Sequence, residues 1–156
     1  MNNRSSNSLV QLAAEGVILG LAADVLGVSL APRRIQLPDG GHLNVDGFDA
    51  GPPVTVVEVY ARQGVLRGAQ PKKLRADALK LLALRKLLYP DARLVVVVAS
   101  EEAERSFHVG WTKEAFKAFG IELCRVTLDP QLVATLSAAQ ARQHMNNTVG
   151  DGEQRE

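Results

Sequence analysis

The chain has 156 residues, 46% hydrophobic and 22% charged, with a net charge of +1. That is one domain's worth of chain with apolar material for one core, and it excludes a disordered tail protein, a histone-like polycation and a pair of ordinary domains. The single cysteine, Cys124, excludes an internal disulfide framework and a multi-cysteine zinc site, and 4% aromatics argues against an aromatic base-stacking platform.

The near-neutral total conceals a basic middle. Residues 58–94 hold nine basic and three acidic side chains, a net of +6, whereas the flanking segments carry −2 and −3. Such a segment suits an anionic partner; the plain alternative is a solvated helix surface. The apolar run near the N-terminus is broken by Glu15 and Asp24, leaving eight uninterrupted residues against the ~20 of a membrane-spanning helix. Glu15 also falls where a signal peptide would be apolar. The expectation is a cytoplasmic protein with a free thiol and no membrane contact.

In chain order, residues 1–7 are polar and read as frayed, and Ser8 is the expected cap of a helix over 9–26 that stops at Gly27. Residues 33–37 and 42–48 read as strands of a hairpin around the turn Pro38-Asp39-Gly40-Gly41. Residues 54–61 (VTVVEVYA) form a β-branched, central strand. A glycine-bearing loop over 63–68 leads to a helix from Pro71 to Leu88, where Tyr89-Pro90 ends it. Residues 94–99 (LVVVVA) are apolar throughout, as in a parallel strand buried on both faces. Ser100-Glu101-Glu102 opens a helix, 112–119 is another, 121–126 is the last strand and 129–142 the last helix. The prediction is a three-layer α/β sandwich with a central mixed sheet, residues 1–142 as one domain and 143–156 as a polar, disordered tail.

There is no Walker A loop, no G-x-G-x-x-G, no H-E-x-x-H and no G-x-S-x-G. His42, His108 and His144 lie in separate elements and read as surface residues, and Cys124 as a core residue. One constellation remains. Asp46 stands near the end of the second strand and Glu58 in the middle of the third, so antiparallel pairing brings their carboxylates together. A glutamate inside such an apolar strand needs a partner, and two adjacent carboxylates repel unless a cation lies between them. A hard divalent ion such as Mg²⁺ satisfies both. On the next helix Gln70, Lys73, Asp77 and Lys80 share one face. The structural alternatives are a Glu58–Lys73 ion pair, turn chemistry at Asp46-Gly47, and Lys80 and Glu15 as solvated surface groups.

These residues, in this order of elements, resemble the PD-(D/E)XK nuclease superfamily, whose restriction-endonuclease-like core (αβββαβ) is similar to residues 9–99, here extended by a further αβ and a C-terminal helix. The resemblance makes Asp46 the first acid and Glu58-Val59-Tyr60 the E-x-K motif, with tyrosine in the lysine's place. It implies a lysine migrated to the following helix, Lys73, beside Gln70, with Glu15 as an additional acid. The implied function is Mg²⁺- or Mn²⁺-dependent hydrolysis of nucleic acid, DNA before RNA. The implied catalytic residues are Asp46, Glu58, Lys73 and Gln70, with Asp46, Glu58 and Glu15 at the metal. Arg62, Arg67, Lys72 and Arg75 would touch backbone phosphates. The alternative is a catalytically inactive domain of this fold that binds nucleic acid or a protein partner, a second copy of itself included.

Overall fold

The computed structural model describes residues 3–66, 68 and 70–150. The elements run α1 (Asn3–Leu26), β1 (Ala31–Gln36), β2 (His42–Asp49), β3 (Thr55–Tyr60), α2 (Gln70–Leu87), β4 (Arg93–Val98), α3 (Glu101–Phe107), α4 (Gly110–Ala118), β5 (Ile121–Arg125) and α5 (Pro130–Gly150). The five strands form one sheet in chain order, β1-β2-β3-β4-β5. The β1–β2 and β2–β3 pairs are antiparallel, and β3–β4 and β4–β5 are parallel. The sheet is therefore mixed, with β3 at its centre, as the apolar strand patterns predict.

Period-two alternation along β3 separates two cores. Val56 and Tyr60 join Leu74, Leu81, Leu84, Phe107 and Phe116 on the face covered by α2, α3 and α4. Val57, Val59 and Ala61 join Ala14, Ile18 and Leu136 on the face covered by α1 and α5. β4 feeds both: residues 94–98 are buried throughout, each valine stabilising the fold by roughly 1.5–3 kcal/mol through burial.

Two local expectations are corrected. α1 begins at Asn3, so Ser8 lies inside the helix and does not cap it. α5 continues to Gly150, past the expected end at Arg142; residues 151–156 lie outside the described residues. Ser8–Leu26 has a mean hydropathy of 1.8, a length and composition that the core helix of a folded domain shares with a membrane span, Glu15 and Asp24 diluting the run without ending it. In the fold its Ala14, Ile18, Leu19 and Ala22 are buried against the sheet. Ser100 does cap α3, its hydroxyl accepting from Ala103 N at 3.1 Å.

The β2 strand carries one irregularity that shapes the site. Val45 and Phe48, three residues apart, both face the α2-side core, so alternation breaks at Asp46 and Gly47. The β2–β3 register is Gly47↔Val57, Phe48↔Val56 and Asp49↔Thr55. A Cβ on Gly47 would stand 2.6 Å from Leu19 Cδ1 and 3.2 Å from Val57 Cβ, so α1 approaches the sheet here only because the residue has no side chain. Gly47→Ala is expected to lower stability by about 1–3 kcal/mol in urea denaturation, as overpacking does; a change within experimental error would show that Leu19 can move aside.

Candidate functional site

Glu58 is 2% exposed, a carboxylate in the middle of the central strand. Its partner is Lys80: Nζ lies 2.6 Å from Glu58 Oε1, on a side chain only 19% exposed. The same ammonium donates to Asn44 O at 3.1 Å. The Glu58 contact is one of charge rather than alignment, since the buried Oε1 accepts no hydrogen bond of good geometry among the described residues. Lys80 as a surface residue and Lys73 as the partner of Glu58 are thus both corrected.

The reason lies in helix rise. α2 starts beside the C-terminal end of β3 and folds back along it, so later helix residues meet earlier strand residues. From Lys73 to Lys80 is ~10 Å of helix, and from Tyr60 down to Glu58 is ~7 Å of strand. Lys73 consequently stands over Tyr60, with Nζ 4.8 Å from the ring centroid, and it takes two further turns to reach Glu58. Between them Asp77 gathers the network. Asp77 Oδ2 accepts from the Tyr60 hydroxyl at 2.7 Å and from Lys73 Nζ at 2.7 Å, and Asp77 Oδ1 lies 3.6 Å from Lys80 Nζ. Asp77 was visible in the helix stripe without a role; its spacing from Lys73 and Lys80, at i−4 and i+3, was the signal.

Asp46 plays a backbone role as well. Where β2 leaves its regular register, Asp46 Oδ2 accepts from Val59 N at 2.8 Å, taking the place a strand carbonyl would otherwise fill. This sets its charge close to Glu58. Burial pushes the Glu58 carboxyl up, the Asp46 charge adds to this, and Lys80 offsets only part of it, leaving a pKa of about 7. Burial also pushes the Tyr60 hydroxyl up, reinforced by Asp77. For Asp77 burial acts upward, but the hydrogen bonds from Lys73 and Tyr60 win and hold it below the usual range. Burial disfavours the Lys73 ammonium, and the hydrogen bond and charge of Asp77 outweigh it, so Lys73 is raised.

Beside this network a cleft of about 400 Å³ opens at the C-terminal end of β3. Asp46, Tyr60, Arg62, Gln70 and Lys73 line one side; Gln11 and Glu15 of α1 and Leu136, Ala139 and Gln140 of α5 line the other. The structure thus brings Asp46, Gln70, Lys73, Arg62 and Glu15 to one cleft and sets Glu58 with Lys80 in the interior beside it. Glu15 is not merely solvated: it faces the cleft and accepts from Gln11 Nε2 at 3.1 Å. Lys72 is exposed and away from the cleft lining. Arg75 points elsewhere, stacked over Trp111 at 5.1 Å in a groove between α2 and α4. Arg67 lies outside the described residues. Of the histidines, His42 and His108 are exposed, and Cys124 is buried with its thiol pushed up by burial.

Among the described residues no group of three or more His, Cys, Asp or Glu side chains converges to hold a metal ion. The donors present are two neighbouring carboxylates, Asp46 and Glu58, the latter with a buried oxygen short of an aligned hydrogen bond. That donor set fits a hard divalent ion that retains several waters and takes one or two carboxylates from the protein. The fold and site define an α/β sandwich with a polar cluster at the edge of its central strand. Comparison with protein-family models, curated proteins and solved structures finds no match to this chain.

The raised Glu58 pKa has a definite sign in stability. Between its ordinary 4.5 and about 7 the folded chain binds this proton more tightly than the unfolded chain. Its contribution is therefore full below pH 4.5 and is lost as pH rises through 7, a decline of up to about 3 kcal/mol. Urea titrations in chelator from pH 4.5 to 8 are expected to show that decline in wild type relative to Glu58→Gln. Lys80→Met should extend it above pH 7, because the remaining countercharge is gone. Parallel profiles for all three proteins would mean that Glu58 is ionised throughout.

Proposed function

We propose that the chain is a metal-dependent phosphodiester hydrolase acting on nucleic acid, the activity implied by its resemblance to PD-(D/E)XK nucleases. The observation that supports this best is the Glu58–Lys80 pair, buried in the central strand beside Asp46, in the interior next to a cleft that Asp46, Lys73, Gln70 and Arg62 line. An ion pair placed for stability alone would be matched by apolar packing of similar volume, so its presence in the most buried strand asks for another reason.

Asp46 and Glu58 would hold the divalent ion, which when bound supplies charge stabilisation of the phosphate and an activated water. The chain's own residues do the rest. Lys80, in place of the Lys73 that the resemblance implies, would take the role of the migrated lysine. It favours the charged form of Glu58 and fixes its position, anchored in turn by Asn44 O. Asp77 spaces Lys73 and Lys80 along α2, and Tyr60, in the position of the motif lysine, locks Asp77 through its hydroxyl. Lys73, 62% exposed beyond its pairing with Asp77, and Arg62, also exposed, would meet the anionic oxygens of a substrate at the cleft mouth. Their contacts orient the backbone and read no sequence.

The test is cleavage of plasmid, single-stranded DNA and RNA in Mg²⁺ and in Mn²⁺. Wild type should cut at least one, and Glu58→Gln and Asp46→Asn should each lose at least about 100-fold, as removal of a charge-stabilising group does. Lys80→Ala should fall by a similar factor, whereas Lys73→Ala should act mainly on KM, because it meets phosphate rather than Glu58. A wild type that binds nucleic acid and cuts none of it would replace the enzyme reading with that of an inactive binding domain.

A further inference from the structure

We propose that the cleft takes one unpaired nucleotide, so that the substrate is single-stranded nucleic acid or a frayed end rather than a duplex. This inference names a substrate class for the site just described and rests on that reading. Three observations carry it.

The first is size. A cavity of about 400 Å³ falls in the ~300–1,000 Å³ range that encloses one small-molecule-sized ligand. A B-form duplex, whose major groove alone is ~12 Å wide, does not enter such a space.

The second is the difference between the two walls. The α2 side carries the cations Lys73 and Arg62 together with the Asp46 carboxylate. Among the described residues, the α1/α5 side contributes to the cleft the carboxylate of Glu15, the amides of Gln11 and Gln140, and the apolar Leu136 and Ala139, with no cation. A duplex straddling the cleft would bring a second phosphate backbone against Glu15. A single strand can instead lay its phosphate on the cationic wall and turn its base to the other.

The third is the chemistry of that other wall. Amide side chains offer both a donor and an acceptor, which suits the exposed edge of an unpaired base. Gln11 is held in place by its hydrogen bond to Glu15, so the pair presents an ordered polar edge. Leu136 and Ala139 give the base an apolar surface in the same cavity.

The experiment is fluorescence anisotropy in Ca²⁺ with labelled DNA and RNA single strands of roughly 12 nucleotides, a length one such domain can span, and the blunt duplex of the same sequence. Single strands should bind at least about 10-fold more tightly than the duplex. Gln140→Trp, which fills the cleft, should weaken single-strand binding at least about 10-fold, more than it weakens duplex binding. Gln140→Leu, close to the native bulk, should weaken it several-fold and guards against a Trp variant that fails to fold. Equal affinity for the duplex, single-strand binding indifferent to both variants, or no binding of any strand overturns the inference. Cleavage of duplex in preference to single strand would also overturn it while leaving the hydrolase reading intact. Cleft-dependent single-strand binding with no cleavage in Mg²⁺ or Mn²⁺ would sustain it and remove the hydrolase reading.

Discussion

The buried carboxylate of Glu58 is the constraint around which this domain is arranged. It occupies the centre of the central strand, where every neighbour along the strand is apolar or fully packed. Holding a charge there requires a countercharge at a fixed depth, which a residue about three turns into α2 supplies. Lys80 is that residue, and once it is placed the rest of the helix face follows: Asp77 one turn earlier, Lys73 a turn before that, Gln70 at the start. The polar stripe of α2 is thus a consequence of where Glu58 sits, and the apolar residues Leu74, Leu81 and Leu84 are left to carry the packing.

Much of the fold was legible because strands and helices announce themselves through period. VTVVEVYA and LVVVVA could only be interior strands, and their parallel pairing follows from burial on both faces. The ends of the first and last helices were harder, since polar residues at 3–8 and beyond 142 sit in helix without an apolar stripe to mark them. Alternation and helical spacing set Asp46, Glu58, Gln70 and Lys73 near one end of one strand, and Glu15 entered only through the resemblance; the structure brings Asp46, Gln70, Lys73 and Glu15 to one cleft, with Glu58 in the interior beside it. The choice of lysine was not legible. Sequence spacing says which residues share a helix face, but how far along that face a strand residue lies depends on where the helix docks. Arg75 was misread for a related reason: its charge was counted, whereas its neighbour Trp111 comes from an element more than thirty residues away.

The two sides of the cleft come from opposite layers of the sandwich. α1 and α5 belong to one sheet face and α2 to the other, and they meet only where β3 ends and no longer separates them. This explains the mixture of chemistry in a small volume. One layer delivers cations from the basic middle of the chain, the other delivers amides, apolar groups and the Glu15 carboxylate from its net-acidic flanks. The uneven charge distribution along the sequence is in this way converted into an uneven distribution across a single opening.

Asp46 belongs at once to the architecture and to the site. Its Oδ2 does the work of a strand carbonyl by accepting from Val59 N, and its charge is felt by Glu58. Alanine at this position would remove a sheet hydrogen bond together with a negative charge, so a defect in that variant has two inseparable origins. Asparagine retains a carbonyl oxygen for Val59 and discards only the charge. The strand irregularity at Asp46-Gly47 therefore determines which mutational vocabulary can address the site at all: at this position, side-chain deletion speaks about folding, and only isosteric neutralisation speaks about chemistry.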